Sequence, residues 1–142
     1  MSGNVTIFYG EMGSGKSYRA KKIAERHDLP FLEGDDLIEG EMLRKVVNFQ
    51  PLTKEEIDDF IHYKLFHEIC DRGVNTHLVV SQALYRRENR DRLKKQLEDR
   101  GFIVNYHLVK VPFTQNLKQL WGRRNGLKWI AYWLLNKPFF QE

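Results

Sequence analysis

The stretch "GEMGSGKS", Gly10-Glu11-Met12-Gly13-Ser14-Gly15-Lys16-Ser17, constrains this chain more than any other. It follows the β-rich run "NVTIFYG" and opens a segment with helical spacing, with Ala20, Ile23 and Ala24 on one face. Glycines let a backbone turn its N–H groups inward around phosphate oxygens. Lys16 supplies a point charge for the β and γ phosphates, and Ser17 a hydroxyl for Mg²⁺. The dipole of the helix that begins there adds to the field. Gly10, Glu11, Met12, Gly13, Ser14, Gly15, Lys16 and Ser17 are therefore the expected nucleotide-binding residues, with Ser17 the metal ligand and ATP with Mg²⁺ the expected cofactors.

The chain has 142 residues, 42% hydrophobic and 30% charged, which fits one globular domain over 1–142. Its single cysteine, Cys70, excludes an intrachain disulfide and suits a reducing compartment. In "LFHEICDR" it has core spacing with Leu65, Phe66 and Ile69. "MSGNVTIFYG" has no signal-peptide character, and "WIAYWLL" is too short to span a bilayer, so a soluble cytoplasmic protein is expected. The net charge is +4, with basic residues gathered in "ALYRRENRDRLKK" and "WGRR". The excess is modest and mixed with acids, which favours a small phosphorylated ligand over nucleic acid.

Short apolar runs alternate with helical segments along the chain. "NVTIFYG", "LPFLEGDD", "THLVVSQAL" and "FIVNYHLVKV" read as strands. Between them lie "LIEGEMLRKVV", weakened by Gly40, the long "KEEIDDFIHYKLFHEICDR", and "RRENRDRLKKQLEDR". Thr53 and Glu56 form a capping box, and Gly73 is placed as the residue just past the helix end. "TQNLKQLWGRR" and "GLKWIAYWLLNKPFF" close the chain as helices. The alternation predicts an α/β fold: a mostly parallel sheet in three layers, with helices on both faces.

The acid that usually holds Mg²⁺ at the end of a later strand is missing, because "HLVVSQA" ends in Ser81 and Gln82. Asp35 and Asp36 end the second strand instead, where open α/β sheets bind their ligands. Either can orient or deprotonate an acceptor hydroxyl. Asp36 is also well placed to cap a helix over "LIEGEML". No histidine or cysteine has zinc-ligand spacing. Trp121, Trp129 and Trp133 read as core, with stacking on a ligand ring as the alternative.

From Gly34 onward the chain resembles the gluconate kinases, relatives of shikimate kinase among the small P-loop kinases. "GDDLIEGEMLRKVVNFQPLTKEEIDDFI" follows that family's pattern without a gap, with Gly34, Asp35, Leu37, Lys45, Pro51, Leu52 and Thr53 in place. "SQALYRRENRDRL" matches at Ala83, Leu84, Arg86, Arg90 and Asp91 once a residue is inserted, and "RRNGLKWIAYWLLNKPF" loosely resembles the family's lid. The resemblance implies the P-loop NTPase fold and phosphoryl transfer to a small hydroxylated acceptor. It makes Lys16, Asp35 and Arg124 the expected catalytic residues and Arg123 a nucleotide contact, while Asp36, Arg86 and Arg90 are candidate substrate contacts. The arginines also suit a basic helix end and a solvated helix face. The family usually has His, Arg, Lys and His where this chain has Ile38, Ile57, Tyr85 and Leu127. Polar groups that would hold a sugar acid are thus gone, and a site built to bond a hydroxyl discriminates steeply. A kinase with another acceptor is expected. A nucleoside or nucleic-acid kinase and a non-catalytic nucleotide-binding protein are the alternatives.

Overall fold

The computed structural model describes residues 3–142. Four strands form one parallel sheet: β1 (Asn4–Tyr9), β2 (Phe31–Glu33), β3 (His77–Ser81) and β4 (Ile103–Leu108), in the order β2-β3-β1-β4. Val5 lies between Leu78 and Val104, and Leu32 is in register with Val80. Parallel sheets bury both faces, and β1 shows how. Val5, Ile7 and Tyr9 point into the larger core, whereas Phe8 points into a smaller one.

The smaller core is covered by α1 (Lys16–Arg26), through Ala20 and Ala24 against Val79. The larger core is covered by a long helix and its neighbour. The long helix runs as α3 (Lys54–Asp59), a π-helical stretch over Phe60–Leu65, and α4 (Phe66–Gly73). Its neighbour is α5 (Arg87–Asp99), which contributes Leu93 and Leu97. Helices on both faces make the three-layer α/β architecture expected from the alternation. The capping box also forms: Thr53 Oγ1 accepts the Glu56 N–H at 3.1 Å, and the Glu56 carboxylate accepts the Thr53 N–H at 2.9 Å. Within the π-helical stretch, buried His62 bonds Gln96 at 2.8 Å and Asn89 at 3.1 Å, so its ring is satisfied by neutral amides.

Three local expectations are corrected. Gly34–Leu37 forms a 3₁₀ turn, and the following helix, α2 (Gly40–Val47), starts only at Gly40 with Glu39 in the cap position. Asp36 is therefore not its cap. Gly73 is the last residue of α4, and the left-handed conformation beyond it falls to Asn75, with φ of 57°. Cys70 is only partly buried at the edge of the larger core.

The chain closes with α6 (Phe113–Trp121), α7 (Gly126–Asn136) and a 3₁₀ turn at Lys137–Phe139. Trp133 is fully buried, and Trp129 packs edge-on against Phe49 with centroids 4.9 Å apart. This contact and the 6.1 Å one between Phe49 and Tyr132 join α7 to the segment after α2.

Arg90, expected near the substrate, belongs to the core. It is 4% exposed, donates to the Leu84 carbonyl at 2.6 Å and to the Glu142 backbone carbonyl at 2.9 Å, and lies over the Tyr9 ring at 4.4 Å. Truncation leaves buried carbonyls without donors. Arg90→Met is expected to lower the unfolding free energy by about 2–4 kcal/mol, the scale of lost charged hydrogen bonds, while ATP affinity of the folded fraction is unchanged. Denaturant melts and calorimetry check the two parts.

Candidate functional site

The end of β1 feeds directly into the glycine loop. Gly13 and Gly15 have φ of 76° and 83°, a left-handed conformation that side chains disfavour. Gly15 is also the N-cap of α1 and makes no side-chain cap. The first amides of α1 are thus left for an anion rather than for a capping oxygen. Ser14 is buried, and its hydroxyl has no partner among the described residues.

Lys16 is 8% exposed. Burial drives its pKa below that of an ordinary lysine, and the Asp35 and Glu33 charges oppose that only partly. No carboxylate is hydrogen-bonded to it among the described residues. A buried ammonium, an orphaned hydroxyl and uncapped helix amides within a few residues fit the phosphates of a nucleotide. The strands beside β1 complete the surroundings. Ser17 Oγ lies 2.9 Å from Ser81 Oγ at the end of β3.

Ser17 also faces Glu33 at the end of β2. Burial raises the Glu33 pKa, and the hydrogen bond from Ser17 works against that rise. Ser17 and Glu33 are the residues that would hold Mg²⁺ beside the phosphates, directly or through water. Among the described residues no group of three or more His, Cys, Asp or Glu could hold a metal by itself. Any ion here would depend on ligand oxygens.

Asp35 occupies the centre. Its Oδ1 accepts from Gln82 Nε2 at 3.2 Å, and its charge is felt by Lys16 and Arg123. The Gln82 carboxamide packs so closely on Gly34 that a Cβ there would lie 1.8 Å from Gln82 Oε1. Gly34 is thus what allows Gln82 to reach Asp35. Arg123 sits over the Trp129 ring at 4.9 Å, and burial lowers its pKa while Asp35 raises it.

Arg123 is the arginine of the pair that the structure brings to Lys16 and Asp35. Arg124, the expected catalytic one, is exposed, as Arg123 also is, but unlike Arg123 it has no charge interaction with Lys16 or Asp35. Asp36 lines a groove of about 460 Å³ with Ser17, Lys21, Glu33 and Arg72, on the β2 side of the loop. Arg86 is partly buried at the N-cap of α5.

The acceptor-side substitutions have separate outcomes. Ile38 and Ile57 pack against the larger core, and Leu127 is 70% exposed. Tyr85 keeps a polar role: its hydroxyl accepts the Met12 N–H at 3.3 Å. Two further residues tie down the loop. Asn116 donates to the Met12 carbonyl at 3.0 Å, and Lys137 bonds both Glu11 oxygens at 3.2 and 3.1 Å. Glu33, Asn116 and Lys137 were missed in the sequence, and Gln82 and Tyr85 were noted there only as replacing polar or acidic groups. Glu33 alone left a signal, two positions before Asp35 at the same strand end.

A family model described as an AAA domain matches residues 5–126. The chain belongs to that family. It is 26% identical over 124 residues to a probable gluconokinase of Schizosaccharomyces pombe, covering 85% of this chain. The chain spans 64% of the length of that relative. Among solved structures it is similar to a gluconokinase from Sinorhizobium meliloti 1021, with a TM-score of 0.78 and 20% identity over 98% of this chain and 75% of the other. It is also similar to the Mycobacterium tuberculosis APS kinase in complex with AMPPNP and APS, with a TM-score of 0.67 and 18% identity over 95% and 75% of the two chains. These likenesses establish the kinase-type P-loop fold. No helix among the described residues is long and apolar enough to cross a membrane.

Lys16 generates a prediction with a definite sign. Its folded pKa lies below its unfolded value, so the unfolded state binds more protons between the two. Lys16 therefore penalises the ligand-free fold at neutral pH, and the penalty fades as pH rises toward the ordinary lysine value of 10.5. Lys16→Met is expected to be more stable than the parent at pH 7, by a margin that shrinks near pH 10, and to bind no ATP. Melts across pH and calorimetry check both; a constant margin would contradict the assignment.

Proposed function

We propose that the chain is an ATP-dependent small-molecule kinase that transfers the γ-phosphoryl group to a hydroxyl acceptor other than gluconate. The observation that carries this reading is the convergence of Lys16, Asp35 and Arg123 beside the uncapped start of α1. Such a site offers an anion cradle, a carboxylate at its open side and a second cation facing both.

The division of labour follows from the chemistry of in-line transfer. Catalysis here is mostly positioning and charge stabilisation. Lys16 and Arg123 neutralise charge on the transferred group, while Ser17 and Glu33 would hold Mg²⁺, which would supply further positive charge to the phosphates. Asp35, fixed by Gln82, orients the acceptor hydroxyl and takes its proton. As the bond from that oxygen to the γ phosphorus forms, the bond to the β-phosphate oxygen breaks and ADP leaves. Arg124 enters this scheme only as a reserve cation on the lid.

Ile38, Ile57 and Leu127 support an acceptor without the carboxylate of a sugar acid, because none of them can bond or neutralise one. A nucleoside or nucleic-acid acceptor gains little from Trp129 and Trp133. Trp133 is in the core, and Trp129 already has Phe49 and Arg123 against it. A cytoplasmic setting suits the lone Cys70 thiol and the use of ATP.

A screen of alcohols with ATP turnover as readout tests the proposal. Gluconate is expected to give no turnover in the ordinary enzymatic range of ~1–10³ s⁻¹. With the acceptor in hand, Asp35→Asn is expected to reduce kcat by roughly 10²–10⁴ and to leave ATP affinity nearly unchanged. Asp36→Asn is expected to be much milder. Full turnover in Asp35→Asn would remove Asp35 from the chemistry.

A further inference from the structure

Tyr85 lies four residues beyond the end of β3, beside the loop. Its oxygen receives the Met12 N–H at 3.3 Å. A phenol that accepts from the backbone still carries its own proton, which must be donated elsewhere. Among the described residues no acceptor is within hydrogen-bond distance of it. Both oxygens of the nearby Glu11 bond Lys137. Asp35 Oδ1 accepts from Gln82, and Tyr132 donates its own proton to the Gln50 carbonyl at 3.4 Å. Phe140 packs edge-on at 5.1 Å and has no polar atom to offer. Among the described residues the Tyr85 O–H therefore has no assigned acceptor, although the side chain is largely enclosed.

The ring is also fixed. Phe140 braces it, and the Tyr85 carbonyl accepts the Gln141 N–H at 2.7 Å. Burial pushes its pKa up to about 12, with the Glu11 and Asp35 charges adding to the rise. The phenol is thus a donor throughout the working range of pH, held on the loop and facing the same carboxylates as the transfer point.

We propose that the Tyr85 hydroxyl donates a hydrogen bond to the terminal phosphate of the bound nucleotide, so that the loop distinguishes a triphosphate from a diphosphate. This rests on the nucleotide-binding reading of the loop. A neutral donor does here what a cation can do elsewhere, and it adds no charge beside Lys16. Because its own oxygen is bonded to the Met12 amide, the donor is placed with the loop backbone.

The test is calorimetry on the full chain with ATP–Mg²⁺ and ADP–Mg²⁺ as separate probes. Tyr85→Phe removes one oxygen and keeps the ring. It is expected to weaken ATP by roughly tenfold, the scale of one charge-assisted hydrogen bond, and to leave ADP unchanged. Tyr85→His, which restores an N–H donor, is expected to prefer ATP over ADP more than Tyr85→Phe does. The His variant carries the test if the Phe variant fails to fold, its preference then being compared with the parent's. Equal weakening of both nucleotides would mean that the hydroxyl only shapes the loop, and unchanged affinity for both would mean that it touches neither. Either result overturns the proposal, as does loss of all ATP preference in the His variant. These measurements need no acceptor. Absence of turnover with every alcohol, with the ATP preference intact and lost in Tyr85→Phe, would remove the kinase reading and leave this inference standing.

Discussion

The rest of the molecule is arranged around a buried ammonium to which no carboxylate among the described residues is hydrogen-bonded. Lys16 is nearly inaccessible, and the two acids that feel its charge do not cancel its burial penalty. Such a group is costly in a folded chain. It is held by the turn that Gly13 and Gly15 make possible, and by β1 and α1, whose own cores lock the approach and exit of that turn. An arriving phosphate relieves the cost, so the instability of the ligand-free site becomes affinity for the ligand. The uncapped amides of α1 act in the same direction.

That arrangement needs the outer side of the loop to be rigid, and the rigidity comes from distant sequence. Tyr85, Asn116 and Lys137 reach Met12 and Glu11 from three later elements. The C-terminal region thus supports the loop. Arg90 connects the same region to the core, since it holds the Leu84 carbonyl one residue before Tyr85 and the Glu142 carbonyl near the end of the chain. Arg90, which looks like a substrate contact on a basic helix, makes structural contacts to the core.

Local signals in the sequence were readable where one segment alone decides the outcome. The glycine loop, the four strands, the Thr53–Glu56 capping box and the alternation that implies a parallel sheet all fall in this class. The errors have a common cause. The Asp36 cap, the Gly73 stop and the exposed Arg90 were judged from neighbours in sequence, while packing against other elements determined them. Gln82 reaching Asp35 across 47 positions, and Tyr85 reaching Met12 across 73, leave no periodic trace. Tyr85 was read as a lost polar contact because a tyrosine in place of a lysine removes charge. It keeps a hydrogen-bonding group, and the fold turns that group toward the loop.

Charge balance around Asp35 narrows the acceptor further on the proposed reading. The transfer point has Lys16 and Arg123 on one side and Glu33 and Asp35 on the other, before any nucleotide is bound. A triphosphate would bring several negative charges, more than these two cations neutralise, and on the proposed reading Mg²⁺ beside Ser17 and Glu33 would offset the rest. An anionic acceptor would add one more negative charge next to Asp35. The cations that could offset it are absent from positions 38, 57 and 127, and position 85 offers only a neutral hydroxyl. Desolvating an unpaired carboxylate there would cost more than its contacts return. A neutral alcohol avoids that penalty and needs only Asp35 to orient its reacting hydroxyl. On the proposed reading, the same substitutions that remove the grip on a sugar acid favour an uncharged acceptor.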